Sequence, residues 1–303
     1  MSEKRADCNG EAMRDFIQGL SREKPVLIAG PTASGKSALA MEISTAQDRV
    51  VVNADALQVY SDWRVLTARP SPADEAARPH ALYGHVPGVQ PYSVGDWLRE
   101  VTAWLDRPVV IVGGTGLYFT ALTEGLAQIP EVPGTVRDTA MARIEAEGVA
   151  ALVAELDAAT AARIDQQNPM RVQRAWEVLT ATGRGLAGWQ DDTGPPLVAL
   201  SDAETALIDA PKDWLTPRIE TRFDLMLDGG ALDEARANAP DWHPGLPSAK
   251  AIGAAELVAH VKGRMDLGAA RRAVIIATRQ YAKRQRSWFR SRMSAWRVHD
   301  LRG

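Results

Sequence analysis

The stretch LIAGPTASGKSALA at residues 27–40 decides the fold. An apolar segment leads into residues 30–37, which match the phosphate-loop pattern G-x-x-x-x-G-K-[ST]. Glycines in such a loop let the backbone curl, so that successive N–H groups face an anion at the N-terminus of the next helix. The predicted phosphate-binding residues are Gly30, Pro31, Thr32, Ala33, Ser34, Gly35, Lys36 and Ser37. Lys36 offers a point charge for a terminal phosphate, and Ser37 offers a hydroxyl ligand for Mg²⁺.

Three short segments have the pattern of buried strands. Residues 25–30, 49–53 and 108–113 are rich in β-branched residues and nearly continuous in apolar character, which is typical of strands buried on both faces of a parallel sheet. Helical patterns, including 36–46 and 93–105, separate them. The alternation predicts an α/β fold, a P-loop NTPase-like parallel sheet flanked by helices. Residues 196–201 (PLVALS) are expected to add a strand.

The middle of the chain predicts an all-helical insertion domain. Between about residues 123 and 194, Ala, Glu and Arg dominate, the period is helical, and Pro and Gly mark both ends. The predicted organisation is a polar N-terminal tail and helix at 1–20, a core at 21–122 and 195–303, and the insert at 123–194. More helices are expected at about 215–237, 249–262 and 268–294.

Bulk properties favour a cytoplasmic protein; the residues leave its oligomeric state open, with a monomer as the default expectation. The chain has 303 residues, of which 46% are hydrophobic and 24% charged. No apolar run approaches the roughly 20 residues that span a bilayer. The N-terminus lacks the apolar region of a secretory signal. Cys8 is the single cysteine, so an internal disulfide is impossible, and we expect it to be inert.

The net charge of −3 hides a basic C-terminal segment. Residues 271–292 contain eight Lys or Arg and no acidic residue. Helical spacing places Arg279, Lys283, Arg286 and Arg290 on one face, which favours contact with a polyphosphate backbone over a merely solvated face. The insert adds a second basic patch, formed by Arg163, Arg171 and Arg174.

Ligand chemistry remains open from the residues alone. A typical NTPase has a strand that ends in an acid and orders Mg²⁺, whereas the strand at 108–113 leads into GGTG. These glycines suggest a backbone that approaches a ligand beside the Thr115 hydroxyl, and the alternative is a tight turn. Asp55 follows the second strand, where ligands bind in open α/β sheets. It is either a general base or an ordinary loop or capping residue.

The ordered set of motifs resembles the tRNA dimethylallyltransferases, also called tRNA isopentenyltransferases. The resemblance runs from about residue 26 to residue 290. It is carried by GPTASGKS (30–37), NADALQVY (53–60), TARP (67–70), VGGTGLY (112–118), NPMRVQRAWEVLTATG (168–183), RIETRFDLML (218–227), KAIGAAEL (250–257) and TRQYAKRQRSWFR (278–290).

The resemblance implies transfer of a five-carbon group from dimethylallyl diphosphate to the exocyclic N6 amine of an adenine in tRNA. That adenine is at tRNA position 37, immediately 3′ of the anticodon. The phosphate loop would then hold the diphosphate of the donor, with Mg²⁺ as the cofactor and the anticodon stem-loop as the partner. The alternative is a P-loop small-molecule kinase, which would leave the basic helix and the insert unexplained.

The resemblance also implies roles for particular residues. Asp55, Thr115 and Lys36 match catalytic positions, while Arg137 and Arg222 match positions near the diphosphate. The implied tRNA-binding residues are Asp55, Ala56, Leu57, Gln58, Thr115, Arg137, Gln166, Arg171, Arg174, Arg218, Lys250, Arg279, Lys283 and Arg286. Three residues depart from the family pattern: Ala56 replaces the usual Ser, Leu66 the usual Gly and Arg69 the usual Lys.

Overall fold

The computed structural model describes residues 14–301, so Cys8 and most of the predicted N-terminal tail lie outside the described residues. The chain divides into two compact units at residues 123/124 and 197/198. The first unit combines the N-terminal and C-terminal parts of the chain, and the second is the intervening segment. The boundaries expected from sequence were 123 and 194.

The first unit is built on a parallel sheet, which has six strands in the described residues. Their order across the sheet is β3-β2-β4-β1-β5-β6, and every neighbouring pair is parallel. The strands are β1 (Val26–Ala29), β2 (Val50–Asn53), β3 (His80–Ala81), β4 (Val109–Gly113), β5 (Glu204–Asp209) and β6 (Val298–Asp300). Central strands β1 and β4 are buried throughout, as their continuous apolar sequences predict.

Helices surround this sheet and extend beyond it. The described part of α1 covers residues 14–19. The other helices of the first unit are α2 (Lys36–Gln47), α3 (Pro72–Ala77), α4 (Val94–Thr102), α5 (Gly116–Glu124), α11 (Lys212–Asp228), α12 (Ala231–Asn238), α13 (Ala254–Val261) and α14 (Leu267–Arg292). Capping fixes several starts: Ser93 and Asp96 form a reciprocal capping box at α4, and Asp266 caps α14.

Several hydrophobic clusters stabilise the first unit, and two of them lie next to the elements that carry the site. One lies between α2 and the sheet, where Leu39 and Ile43 pack with Ile28 and Val110. The other joins the C-terminal helices: Leu215, Phe223, Leu257 and Val274 pack together with Leu66. The second core therefore fixes α11 and α14 next to the segment that carries Leu66.

The second unit is entirely helical in its regular structure among the described residues. It consists of α6 (Gly134–Glu147), α7 (Val149–Ala154), α8 (Ala158–Arg163), α9 (Pro169–Thr182) and α10 (Leu186–Asp191). Its small core contains Ala140, Leu152, Val172 and Trp176. Glu155 accepts a hydrogen bond from the Trp176 indole and pairs with Arg143, which ties α6, α9 and the end of α7 together.

The structure corrects several expected elements. Residues 196–201 do not form a strand: this segment runs into a 3-10 turn, and the strand is β5, slightly later in the chain. The two were confused because β5 begins and ends with acidic residues, whereas 196–201 is more apolar. The helix expected at 215–237 is broken at Gly229 and Gly230 into α11 and α12, and Gly230 has a φ of 99°.

Candidate active site at the carboxyl edge of the sheet

The phosphate loop connects β1 to α2, as its sequence predicts. Gly35 has a φ of 88° and Ala33 a φ of 62°, so the chain turns through left-handed conformations just before α2. Gly30 is confined: a Cβ there would lie 2.9 Å from the Ser34 hydroxyl and 3.0 Å from Ile208 Cβ. Among the described residues, no side chain caps the N-terminus of α2. Its first N–H groups are therefore available to an anion.

The Lys36 ammonium lies within the phosphate loop, and its neighbours lower its pKa. Its Nζ donates a hydrogen bond of 3.3 Å to the Pro31 carbonyl, within the loop itself. Burial of the ammonium and, secondarily, the like charge of Arg222 together lower the pKa of Lys36 to about 8, against a smaller opposing effect of Asp55. A diphosphate beside Lys36 would supply the missing counter-charge.

Two arginines on consecutive turns of α11 contact the same loop. Arg218 Nε donates to the Ala33 carbonyl over 3.0 Å, and Arg222 Nη1 donates to Thr32 Oγ1 over 3.3 Å. The Arg218 guanidinium also lies over the Trp214 ring at 4.3 Å from its centroid. With the loop, these arginines line a cavity of about 540 Å³, which residues 33–38 bound on one side.

Asp55 lies at the carboxyl end of β2, next to the loop. Its Oδ1 accepts a hydrogen bond from the Leu57 N–H, and its own N–H donates to Asn53 Oδ1, so both ends of the residue are held. The Ala56 N–H donates to Thr115 Oγ1 over 2.9 Å. The structure thus brings Thr115, at the end of β4, to the segment that carries Asp55, as predicted.

Asp55 also influences the hydroxyls of three tyrosines. Burial, and secondarily the negative charge of Asp55, raises the pKa of Tyr83, Tyr118 and Tyr281 above the ordinary range. These hydroxyls therefore stay protonated at neutral pH.

A second, smaller cavity of about 90 Å³ adjoins the first through shared lining residues. Lys36, Ser37 and Arg222 line both cavities. Asp55 and Tyr281 also line the smaller one, and the rest of its wall is largely apolar: Leu66, Ile219, Phe223, Met226, Ile252 and Val274. The site therefore offers a polar compartment for an anion and an apolar compartment that contains a carboxylate.

The glycines of the GGTG turn pack closely against other segments of the protein. A Cβ on Gly113 would lie 2.0 Å from the Ala54 carbonyl oxygen, and one on Gly114 would lie 2.2 Å from Gln285 Nε2. A Cβ on Gly116 would lie 2.1 Å from the Trp288 ring. These glycines permit close approach to the protein itself, which accounts for them without a ligand, and their approach to a ligand stays a prediction.

The remaining core residues assigned to RNA lie around this edge or on α14. Leu57 and Gln58 line the smaller cavity, and the Gln58 amide donates to the Thr67 and Ala68 carbonyls. Arg279 and Lys283 are exposed on α14, Arg286 is partly buried, and Lys250 is the exposed last residue of a 3-10 turn. At the start of α14, Arg271 pairs with Asp224, so the unpaired part of the basic face begins later. RNA contact by these residues stays a prediction.

The residues assigned in the second unit lie on its surface. Arg137 is exposed on α6, and Arg171 is exposed on α9. The Gln166 side chain donates to the Ala161 carbonyl. The basic patch is partly neutralised, because Arg163 pairs with Asp191 and Arg174 lies 3.8 Å from Glu177. The roles of these residues also remain predictions.

The residues at the loop suit a hard cation that is bound partly by protein oxygens and partly by the oxygens of a diphosphate. Ser37 is exposed and lines both cavities, and Asp55 lines one of them. Hydroxyl, carboxylate and phosphate oxygens are the donors that Mg²⁺ prefers. Among residues 14–301, no group of three or more His, Cys, Asp or Glu could hold a metal by itself. Most ligands would therefore come from the diphosphate and water.

Sequence reasoning missed three residues that shape the site. Gln285 and Tyr281, on α14, contact the phosphate loop or the GGTG turn. Glu234 accepts hydrogen bonds from three successive N–H groups, those of residues 64–66. One signal existed for Gln285: it occupies a buried position of α14 between Ala282 and Phe289, where helical spacing calls for an apolar residue.

Comparison with known proteins identifies the family. A family model described as IPP transferase matches residues 58–292, and one described as isopentenyl transferase matches residues 24–78. A tRNA dimethylallyltransferase of Cereibacter sphaeroides is 63% identical over 289 residues, which cover 94% of this chain and 91% of that protein. The chain belongs to the tRNA dimethylallyltransferase family.

Solved structures agree with this assignment. The tRNA isopentenylpyrophosphate transferase of Bacillus halodurans is 28% identical, with a TM-score of 0.63, and the match covers 92% of this chain and 90% of that one. A eukaryotic dimethylallyltransferase shares the fold, with a TM-score of 0.78 at 22% identity over 92% of this chain and 74% of that one. The predicted α/β fold with a parallel sheet is confirmed. In the described part of the chain, every helix is too short or too polar to cross a membrane.

Proposed function

We propose that the chain transfers a dimethylallyl group from dimethylallyl diphosphate to the N6 amine of adenine at tRNA position 37. The observation that carries the proposal is the pair of adjoining cavities, which share Lys36, Ser37 and Arg222. One is lined by the phosphate loop and arginines, and the other combines a set of apolar side chains with Asp55 and several polar groups. This arrangement matches a donor with a diphosphate at one end and a hydrocarbon at the other.

The reaction is a displacement at the allylic carbon. The bond between that carbon and the diphosphate oxygen breaks, and a bond from the adenine N6 to the same carbon forms. Lys36, Arg218 and Arg222 surround the place where the leaving diphosphate gains negative charge, so their fixed positive charges favour the transition state. Ser37 would supply one ligand to a bound Mg²⁺, whose charge would add to this neutralisation.

The adenine amine needs a proton acceptor, because its lone pair is delocalised into the ring. Asp55 is the carboxylate of the smaller cavity: its Oδ1 accepts from the Leu57 N–H, and its own N–H donates to Asn53 Oδ1. It accepts the N6 proton as the new bond forms. Thr115 Oγ1 fixes the same segment through the Ala56 N–H. Walls formed by Phe223, Met226 and Ile252 exclude water that would otherwise hydrolyse the donor.

The RNA is held by exposed positive charge. Arg279, Lys283 and Arg290 are exposed on α14, and among the described residues none of them forms an ion pair. Such a face suits the phosphates of a tRNA anticodon stem-loop, whose loop bases can be splayed out into a pocket. The helical second unit offers Arg137 and Arg171 for the same partner.

Group transfer without ATP tests the proposal. Purified protein is incubated with Mg²⁺, unmodified tRNA and radiolabelled dimethylallyl diphosphate, and the label is located by nuclease digestion. We expect label on the adenine 3′ of the anticodon. The matched control is a tRNA with another base at that position, which should receive none. Absence of transfer to RNA, with ATP consumed in a parallel reaction, would overturn the proposal in favour of a kinase.

A further inference from the structure

Gln285 joins the two halves of the active site through one side-chain amide. Its Oε1 accepts a hydrogen bond of 2.9 Å from the Thr32 N–H, and its Nε2 donates one of 2.9 Å to the Gly114 carbonyl. The residue is only 5% exposed, although it lies in the most basic segment of the chain. A planar amide is the side-chain group that can donate and accept in fixed opposite directions.

The two partners of Gln285 belong to different parts of the site. Thr32 is in the middle of the phosphate loop, and its hydroxyl also accepts from Arg222. Gly114 directly precedes Thr115, which holds the segment of Asp55. The approach of Gln285 requires glycine at position 114, because a Cβ there would lie 2.2 Å from Nε2. The amide thus fixes the spacing between the loop of the donor and the turn beside the base.

Tyr281 extends this connection along α14. It lies one helical turn before Gln285, and its side chain interacts with those of Gln285 and Thr115. It also lines the apolar cavity together with Asp55. The buried face of α14 therefore contacts both sides of the reaction, while the opposite face exposes Arg279 and Lys283.

We infer that Gln285 is a positioning residue that holds the phosphate loop and the Thr115 turn in register for transfer, and that fixes α14 to both. This inference rests on the proposed function. Gln285 touches neither the donor nor the adenine, and it acts through Thr32 and Gly114. Its loss lets the two segments shift independently, and a misplacement of about 1 Å at a reacting centre costs on the order of 10²-fold in rate.

The first test replaces the amide with an uncharged side chain of similar length. Gln285→Met should lower kcat roughly 30- to 100-fold through misalignment. Its affinity for inorganic diphosphate should fall by about 10-fold, the effect of about one hydrogen bond. Its affinity for tRNA should stay within about 2-fold of the wild type, because the exposed cations of α14 are unchanged. The matched control is Gln280→Met, the same replacement at an exposed position of the same helix, which should leave all three quantities unchanged.

The second test uses Gln285→Glu, because the kcat of this variant should change with pH in a predictable direction. A protonated carboxyl can accept from the Thr32 N–H and donate to the Gly114 carbonyl, whereas an ionised one cannot donate. Burial raises the pKa of such a carboxyl towards neutral pH. The ratio of variant to wild-type kcat should therefore rise as the pH is lowered from 9 to 6. A residue that merely fills space would give a constant ratio.

The outcomes separate the inference from the function on which it rests. Gln285→Met with near wild-type kcat and diphosphate affinity would overturn the inference, as would a pH-independent ratio for Gln285→Glu. If Gln285→Met does not fold, the Gln285→Glu profile decides. If the wild type transfers nothing to tRNA, the proposed function fails. The role of Gln285 can then still be tested by the affinity for inorganic diphosphate. That affinity should be lower in folded Gln285→Met than in the wild type, and in Gln285→Glu it should be lower at pH 9 than at pH 6, each relative to the wild type.

Discussion

The proposed donor site and the exposed basic face of α14 differ in how their positive charges are surrounded. Around the phosphate loop, the Lys36 ammonium and the Arg222 guanidinium lie close together among protein atoms, and burial lowers the pKa of each. On α14, Arg279, Lys283 and Arg290 project into solvent. Buried charges are sensitive to protonation but poorly screened by salt, whereas exposed charges are screened within about 10 Å at 0.1 M salt. Donor binding should therefore respond to pH, and RNA binding to ionic strength.

The largest expected effect separates chemistry from both kinds of binding. Asp55→Asn retains the size of the side chain but removes the proton acceptor, so kcat should fall by roughly 10²-fold or more, in the general-base range. Affinity for tRNA and for inorganic diphosphate should change little, as equilibrium binding of each would show. Near wild-type turnover in this variant would mean that Asp55 is not the base.

The next effect tests the buried charge of the donor site. Because the pKa of Lys36 is lowered to about 8, the ammonium is present below that pH and is lost above it. Donor affinity should therefore weaken about 10-fold between pH 7 and pH 9, as one protonation with that pKa requires. Lys36→Met should bind the donor more weakly at pH 7 and lose most of this pH dependence. The comparison of the two proteins cancels the donor's own titration. Parallel pH profiles for them would contradict a role for the Lys36 charge.

A somewhat smaller effect tests the exposed charge of α14. The double variant Arg279→Gln/Lys283→Gln should weaken tRNA binding and lower its salt dependence, by roughly 0.7 to 0.9 in the logarithmic slope for each phosphate that is no longer neutralised. Arg99→Gln/Arg107→Gln removes the same charge from exposed residues elsewhere and serves as the control. Binding measured from low to moderate salt distinguishes them. If the two double variants have the same slope, the RNA binds elsewhere on the protein.

The smallest expected effect concerns shape rather than charge. Leu66 is 6% exposed and lines the apolar cavity of about 90 Å³, at a position where the family usually has Gly. That volume is less than the roughly 150 Å³ of a cavity that holds benzene, so it favours a five-carbon chain over a longer one. Leu66→Ala should raise the relative kcat/KM for a ten-carbon allylic diphosphate several-fold. An unchanged preference would place the limit on chain length elsewhere in the site.

The parts of the site that the sequence predicted are those set by local pattern. The phosphate loop follows from spacing within residues 30–37, and Asp55 and Thr115 each follow a buried strand at its carboxyl end. The carboxyl ends of parallel strands lie at one edge of the sheet, so the proximity of these residues can be predicted without the rest of the chain.

The parts that it missed depend on contacts between distant segments. The hydrogen bond between Thr32 and Gln285 joins residues 253 positions apart, and the hydrogen bonds to Glu234 span about 170 positions. Hydrophobic periodicity within one segment does not predict hydrogen bonds between segments so far apart. Strands β3 and β6 were also missed, because two and three residues are too short to give a hydrophobic pattern.

The ligand of the phosphate loop is the central claim, and competition binding tests it most directly. Radiolabelled dimethylallyl diphosphate is bound to the protein at equilibrium and displaced by inorganic diphosphate or by ATP, with Lys36→Met in parallel. We predict saturable binding that inorganic diphosphate displaces at least about 10-fold better than ATP does, and that Lys36→Met strongly weakens. Displacement in which ATP is the stronger competitor, or donor binding unaffected by Lys36→Met, would contradict this claim.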